Sequence, residues 1–358
     1  MLNWPAEKSD RIATERAVTE VQAGRPVIIE GGEPVLAHPV DPLSQGDLDI
    51  LCAAGAQLSL SPTRAATLGL ASEALMLSLP ARTTVATVKA LACESGDVRS
   101  LPPRPASVAA MAAVTIAKLA RQVPAMLIVP EAALPALPPL VRVTAAAVER
   151  HAGSLDKSLR LVSRARVPLK DAGPCEFVVF RGPFERTSSA VIVGAPDLSK
   201  PVPVRLHSSC LTGDAFGSMR CDCGDQLRMA LAAMKPTGGI LLYLDQEGCG
   251  IGLANKMRAY RLQDMGLDTV EANRALGFAN DERQYEGAAA MLSALGVGDV
   301  LLLTNNPAKM AALTSAGIRI AGRLPLLAPV HGDNRHYLET KARKAGHLLG
   351  RTTEALLT

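Results

Sequence analysis

Aromatic side chains are nearly missing from this chain: one Trp, four Tyr and five Phe make up 3% of 358 residues. So sparse a set does not furnish the stacking platforms on which proteins hold single-stranded nucleic acid. Strong charge of either sign is lacking too. A net charge of +4 is too small for a DNA-binding surface, though it suits a small polyanionic substrate. Long apolar runs are absent: the stretches at 105–120 and 125–141 are broken by Lys118, Arg121 or prolines, and neither reads as a membrane span. The opening MLNWPAEKSD has no apolar core and does not read as a secretory signal. Seven cysteines, an odd number, show no disulfide framework, and thiolate ligands need reducing conditions, so the cytosol is the expected compartment.

What remains is a globular composition, 48% hydrophobic and 20% charged, in a chain long enough for two domains with a core each. The first half predicts a helix over Ala13–Ala23, a buried strand in GRPVIIEGG, a helix over Ser107–Arg121 and a strand from Ala125 that Pro130 ends. A further helix opens near Val143 with Thr144 as its N-cap. Strands alternating with helices argue for an α/β fold of mixed α+β layered domains. The basic stretch Ser154–Asp171 reads as an exposed connection, which divides the chain into 1–163 and 164–358.

The chemistry concentrates in RLHSSCLTGDAFGSMRCDCGDQL. Cys210, Cys221 and Cys223 offer three soft ligands with no fourth nearby. A tetrahedral zinc on three protein ligands keeps one position open for the water a catalytic metal activates. Closed structural sites and buried free thiols use similar clusters, so spacing alone leaves those readings open. VPVRLH predicts a strand running into Cys210, and CDCGDQLRMALAAM a turn and helix, with Cys221 and Cys223 just before the helix start, where unpaired N–H groups favour thiolate. GGILLYLDQEG, the glycine loop QEGCGIG and the helix LANKMRAYRLQDMG follow in the order of a phosphate cradle.

Together with YLDQEGCGIGLANKMRAYRLQDMG, DTVEAN, LGFANDER and LLTNNPAK, this stretch resembles GTP cyclohydrolase II, the first enzyme of riboflavin synthesis, from Pro168 to Leu349. The resemblance implies zinc on Cys210, Cys221 and Cys223, and magnesium on the GTP phosphates. It implies nucleotide contacts from Arg205, His207, Ser208 and Ser209, guanine recognition by Gln226, and further contacts from Glu247, Gly248, Thr269, Thr304 and Lys309. Asp281 matches the family's proton acceptor, Arg283 its nucleophile or charge clamp, and Tyr260 a tyrosine near the metal during ring opening. The expected reaction converts GTP to formate, pyrophosphate and 2,5-diamino-6-ribosylamino-4(3H)-pyrimidinone 5′-phosphate, and the family suggests a homodimer. Cys249 stands where most relatives carry arginine, and Ser209 where some carry glutamate.

The first half resembles 3,4-dihydroxy-2-butanone-4-phosphate synthase through ERAVTEVQAGRPVII, LSLSPTRAATLGL and VTAAAVERH. That synthase gathers magnesium with a dense acidic run, and magnesium needs oxygens converging on one octahedral site. Here only Glu30, Glu33, Asp41 and Asp47 are scattered over the matching segment, so a domain without synthase activity is expected. The rival readings are a related enzyme of pyrimidine breakdown, a silent GTP-binding regulator that keeps zinc for stability, and a bifunctional enzyme whose first half still works.

Overall fold

The computed structural model describes residues 5–329, apart from 72, 136 and 154–157, and a few positions between 332 and 348. Residues 154–157 of the basic connection and the end of the second segment beyond 348 lie outside it. The chain forms two compact units, Met1–Ser154 with Ala254–Glu282, and Leu155–Leu253 with Arg283–Thr358. A segment from the second half of the sequence thus packs into the first unit.

The first unit is built on strands β1 (Val27–Glu30), β2 (Val35–Pro39), β3 (Gln57–Leu60), β4 (Leu75–Ser78), β5 (Pro103–Pro105), β6 (Ala125–Pro130) and β7 (Arg142–Thr144). They pair in the order β5-β4-β3-β6-β2-β1-β7, antiparallel except for β1 with β7. Six helices come from the first half: α1 (Ala6–Gln22), α2 (Gln45–Ala53), α3 (Pro62–Thr67), α4 (Val85–Cys93), α5 (Val108–Leu119) and α6 (Ala145–Ala152). Ser44, Ser61, Thr84, Ser107 and Thr144 cap the last five, each side chain accepting a backbone N–H of the first turn. The capped helices at Ser107 and Thr144 fall where the sequence predicts them; α1 begins seven residues earlier than expected, at Ala6. Helix α5 buries Ala109, Ala110, Ala113, Ile116 and Ala117, small side chains that let a helix lie close to its neighbours. Two later helices, α9 (Leu253–Asp264) and α10 (Thr269–Ala275), complete this unit.

The second unit contains β8 (Arg160–Arg166), β9 (Cys175–Arg181), β10 (Thr187–Val193), β11 (Val202–Ser208), α7 (Leu211–Asp214), α8 (Cys223–Met234), β12 (Gly239–Leu244), α11 (Glu286–Ala294), β13 (Asp299–Leu303), α12 (Pro307–Ser315) and β14 (Arg319–Leu324). The sheet order is β14-β13-β11-β12-β10-β9-β8. β14, β13, β11 and β12 run parallel, and β10, β9 and β8 are antiparallel additions. Both faces of the sheet are covered. Val204, Leu206, Ile240 and Leu242 pack on one side with Phe180 and Met291, and Leu241 and Val191 on the other with Ala230 and Met234. That explains the unbroken apolar run GILLYL, which a strand buried on both faces requires.

The basic stretch at the start of the second unit corrects one expectation. Arg160–Arg166 is exposed, as the sequence suggests, but it is an edge strand paired with β9 along most of its length. All of its residues are solvent-facing, so no in–out alternation marks it as a strand. Charged side chains of this kind are a common feature of open sheet edges.

Candidate active site

The parallel strands β11, β12 and β13 end on the same edge of the sheet, and in such sheets the carboxyl ends of strands are where ligands sit. The expected residues of the second unit collect there. Arg205, His207, Ser208, Ser209 and Cys210 lie at the end of β11, Gln246, Glu247 and Gly248 after β12, and Thr304 and Lys309 after β13.

The three cysteines come together. Cys210 and Cys221 Sγ are 3.7 Å apart, and all three sulfurs lie within 4.8 Å of one another. A tetrahedral zinc with Zn–S near 2.3 Å sets its sulfurs about 3.8 Å apart, so the donor set fits zinc in type and spacing. The Cys210 thiol beside it, with burial, pushes Cys221 up to about 11, so these groups do not ionise together unless a cation compensates. Gly213 makes room for the cluster: a Cβ there would lie 2.9 Å from Cys221 Sγ and 3.1 Å from Cys210 Sγ. Cys223 is the first residue of α8 rather than just outside it, and Cys221 precedes the helix.

Asp214, which the sequence does not single out, organises this corner. Its carboxylate accepts the Cys210 N–H at 2.9 Å and the Tyr243 hydroxyl at 2.9 Å, and it meets His207 Nε2 at 3.0 Å. Tyr243 also stacks on the His207 ring. Burial, and then the Asp214 charge, raise the Tyr243 phenol above its ordinary range, so it remains a donor. Burial outweighs the carboxylate at His207 and lowers its pKa, favouring the neutral ring. With Nε2 turned to Asp214, the buried Nδ1 has no hydrogen-bond partner among the described residues. Glu247, also buried, accepts the Leu211 N–H at 2.6 Å and the Gly248 N–H at 3.0 Å, and so ties the glycine loop to α7. Cys249 in that loop has φ +59°, the left-handed region that L side chains seldom occupy.

Arg205 lies within electrostatic reach of Cys223, and two further cations lie by Tyr285. Buried Arg205 donates to the Leu303 carbonyl at 3.0 Å and to Gln226 Oε1 at 2.5 Å, while its Nε has no partner among the described residues. Gln226 in turn donates to Asp222 at 2.5 Å. Its amide retains one hydrogen and one lone pair for a ligand. Desolvation lowers the Arg205 pKa, opposed chiefly by the Asp222 charge. Lys309 donates to the Leu206 carbonyl at 2.8 Å and lies 5.7 Å from the centroid of the buried Tyr285 ring. The Arg283 guanidinium lies 5.9 Å from the same centroid. Tyr285 thereby draws two cations together. Thr304 Oγ1 accepts the Asn306 N–H at the start of α12, and Ser208 Oγ is 3.4 Å from Gln246 Oε1.

The remaining expected residues, Tyr260, Thr269 and Asp281, belong to the first unit. Tyr260 lies on α9 with the Lys256 ammonium 5.7 Å from its ring, and Thr269 opens α10 behind an Asp268–Glu271 capping box.

A buried thiol cluster and a group of cations at the carboxyl ends of parallel strands define an α/β enzyme for an anionic ligand. Comparison with known proteins makes this specific. The family model for GTP cyclohydrolase II matches residues 160–325. A GTP cyclohydrolase-2 of Xylella fastidiosa (strain Temecula1) is 41% identical over 355 residues, 96% of this chain and 89% of that relative. One from Azospirillum brasilense is 39% identical over 371 residues, 96% of each. Another, from X. fastidiosa strain 9a5c, is 54% identical over 198 residues, 55% of this chain and 50% of that one. Among solved structures, a two-domain 3,4-dihydroxy-2-butanone 4-phosphate synthase from A. baumannii aligns at 16% identity with a TM-score of 0.32, covering 87% of this chain and 99% of that one, too distant to inform the site. The chain belongs to the GTP cyclohydrolase II family, hydrolases of riboflavin synthesis.

Proposed function

We propose that this chain binds zinc through Cys210, Cys221 and Cys223 and opens the guanine ring of GTP, releasing C8 as formate and two phosphates as pyrophosphate. The observation that carries this reading is the packing of three thiols at a spacing that fits zinc, with Arg205 within electrostatic reach of Cys223. Zinc held there supplies Lewis acidity that makes water nucleophilic toward C8.

The chain's own residues do the rest. Lys309 and Arg283 carry positive charge to the triphosphate, with magnesium arriving on the phosphates of the substrate. Arg205 and His207, each with one buried polar atom that has no partner among the described residues, contact the nucleotide. Gln226 reads the guanine edge with the hydrogen and lone pair it has left. Ser208, Ser209, Thr269 and Thr304 add hydroxyl contacts to the nucleotide, and Glu247 and Gly248 contribute from the glycine loop. Asp281 accepts the proton as Arg283 meets the phosphate, and Tyr260 acts at ring opening.

The same reading makes the protein a cytosolic homodimer and makes residues 1–163 a non-catalytic domain. Support for the last point is the scatter of its acids. Glu30 pairs with Arg142, Asp41 with Arg258 and Asp47 with the Ser44 hydroxyl, so they do not converge on one cation. Among the described residues, no helix is long and apolar enough to cross a membrane.

An assay of formate and pyrophosphate from GTP tests the proposal. The wild-type protein should carry one zinc and release both products. Cys221→Ser should lose zinc and formate while pyrophosphate release persists. Full formate release from metal-free protein would overturn the reading.

A further inference from the structure

We propose that the first half of the chain is a seat that fixes the segment 254–282, and that Lys118 is a positioning residue for the reaction. This rests on the roles given above to Asp281 and Arg283.

The seat is made of specific side chains. Arg64 is buried, and its guanidinium donates to the Ala90 and Leu91 carbonyls, both at 2.8 Å, and to that of Glu94, all at the end of α4. The same group donates to the Ala275 carbonyl at 2.6 Å, so one cation closes the C-terminal ends of α4 and α10 together. Desolvation lowers its pKa to about 10, which leaves it charged at neutral pH. Ser61, the N-cap of α3, accepts the Arg64 N–H and donates to the Gly277 carbonyl at 2.6 Å. Gly277 has φ +87°, and a Cβ there would meet Ser61 Oγ at 3.0 Å and Arg64 Cβ and Pro124 Cγ at 3.2 Å. A side chain at 277 would be strained by that φ and would crowd Ser61, Arg64 and Pro124 of the first half. At the other end of the segment, Asp41 pairs with Arg258 at 2.8 Å, and the Arg121 carbonyl accepts from Asn255 at 2.9 Å. Both Ser61 and Arg64 lie in LSLSPTRAATLGL, one of the stretches by which the first half resembles a synthase.

The last link reaches the chemistry. Lys118, at the end of α5, pairs with Glu282 at 2.8 Å. The Glu282 carboxylate also accepts the Ala279 N–H at 2.8 Å, closing a turn from 279 to 282. Glu282 lies between Asp281 and Arg283 in the chain. Holding its side chain fixes the backbone that carries both the proton acceptor and the group that meets the phosphate. The first half thereby holds the turn that carries Asp281 and leads into Arg283.

The test uses the full-length protein. Lys118→Ala should lower kcat by about ten- to a hundredfold, the loss expected when reacting groups are misplaced by an ångström or so. KM for GTP and bound zinc should stay at wild-type values. Lys118→Arg should retain kcat, and Lys118→Glu combined with Glu282→Lys should recover much of what either loses alone. Hydrogen exchange should quicken in 254–282 of Lys118→Ala and nowhere else. An unchanged kcat, or a loss of kcat accompanied by loss of zinc and of GTP affinity that the swapped pair does not repair, would overturn the proposal. If the wild-type protein opens no GTP, the proposed function fails, and the exchange experiment still decides whether the seat exists.

Discussion

Asp214 is the residue that ties Cys210 to Tyr243 and His207. Its carboxylate holds the Cys210 backbone, the Tyr243 hydroxyl and the His207 ring at once. Groups that orient a metal ligand typically contribute ten- to a hundredfold to affinity. Asp214→Asn should therefore weaken zinc binding by about that factor, since an amide offers an NH2 group to one of three donors. Competition with a chelating dye measures it, and equal affinity in both proteins would remove Asp214 from this role. The clustering of the thiols was legible, because the motifs around Cys210, Cys221 and Cys223 follow one another in the order of a known family. Asp214 was not, though it lies one helical turn beyond Cys210, where a side chain can reach back to a backbone N–H. Tyr285 escaped notice for another reason. It lies close to two cations, and an aromatic residue near NDER carries no sign of that in sequence.

At the level of elements, local signals served well where they are local. Thr144 was expected to cap a helix and does so, accepting the Ala147 N–H at 3.1 Å. Thr144→Ala should cost about 1 kcal/mol of stability, read as a lower urea midpoint at unchanged slope. The apolar run of β12 and the strand ending at Cys210 were equally plain. Strand β8 was not, because its pattern is set by pairing with β9 and by an exposed edge rather than by burial. The glycine loop was legible as a turn, but its backbone was not: Cys249 takes a left-handed φ between two glycines that share the sign. The thiol at 249 is thus held in a conformation that costs roughly 1–2 kcal/mol, which only a tightly determined loop sustains.

For the whole molecule, the sequence showed two halves and the structure distributes them differently. Composition and motif order mark a change near residue 163, yet 254–282 packs with the first half. Packing of that kind depends on single contacts such as Arg64 with Ala275 and Ser61 with Gly277, which have no periodicity to betray them. Three of the scattered acids of the first half, Glu30, Asp41 and Asp47, find separate partners. The intact protein should accordingly consume no ribulose 5-phosphate in the presence of magnesium. Formation of a butanone phosphate by purified protein would show that the first half still works as a synthase.

The interleaving of the two units also bears on how the chain matures during synthesis. When Ser154 leaves the ribosome, its unit still lacks two helices. Glu282 follows about 130 residues later, roughly 6–26 s at bacterial elongation rates. For that interval the nascent chain presents the bare surface that α9 and α10 will cover, with the Arg64 guanidinium facing water instead of a carbonyl of α10. A chaperone that recognises unfinished surfaces would find its longest opportunity there.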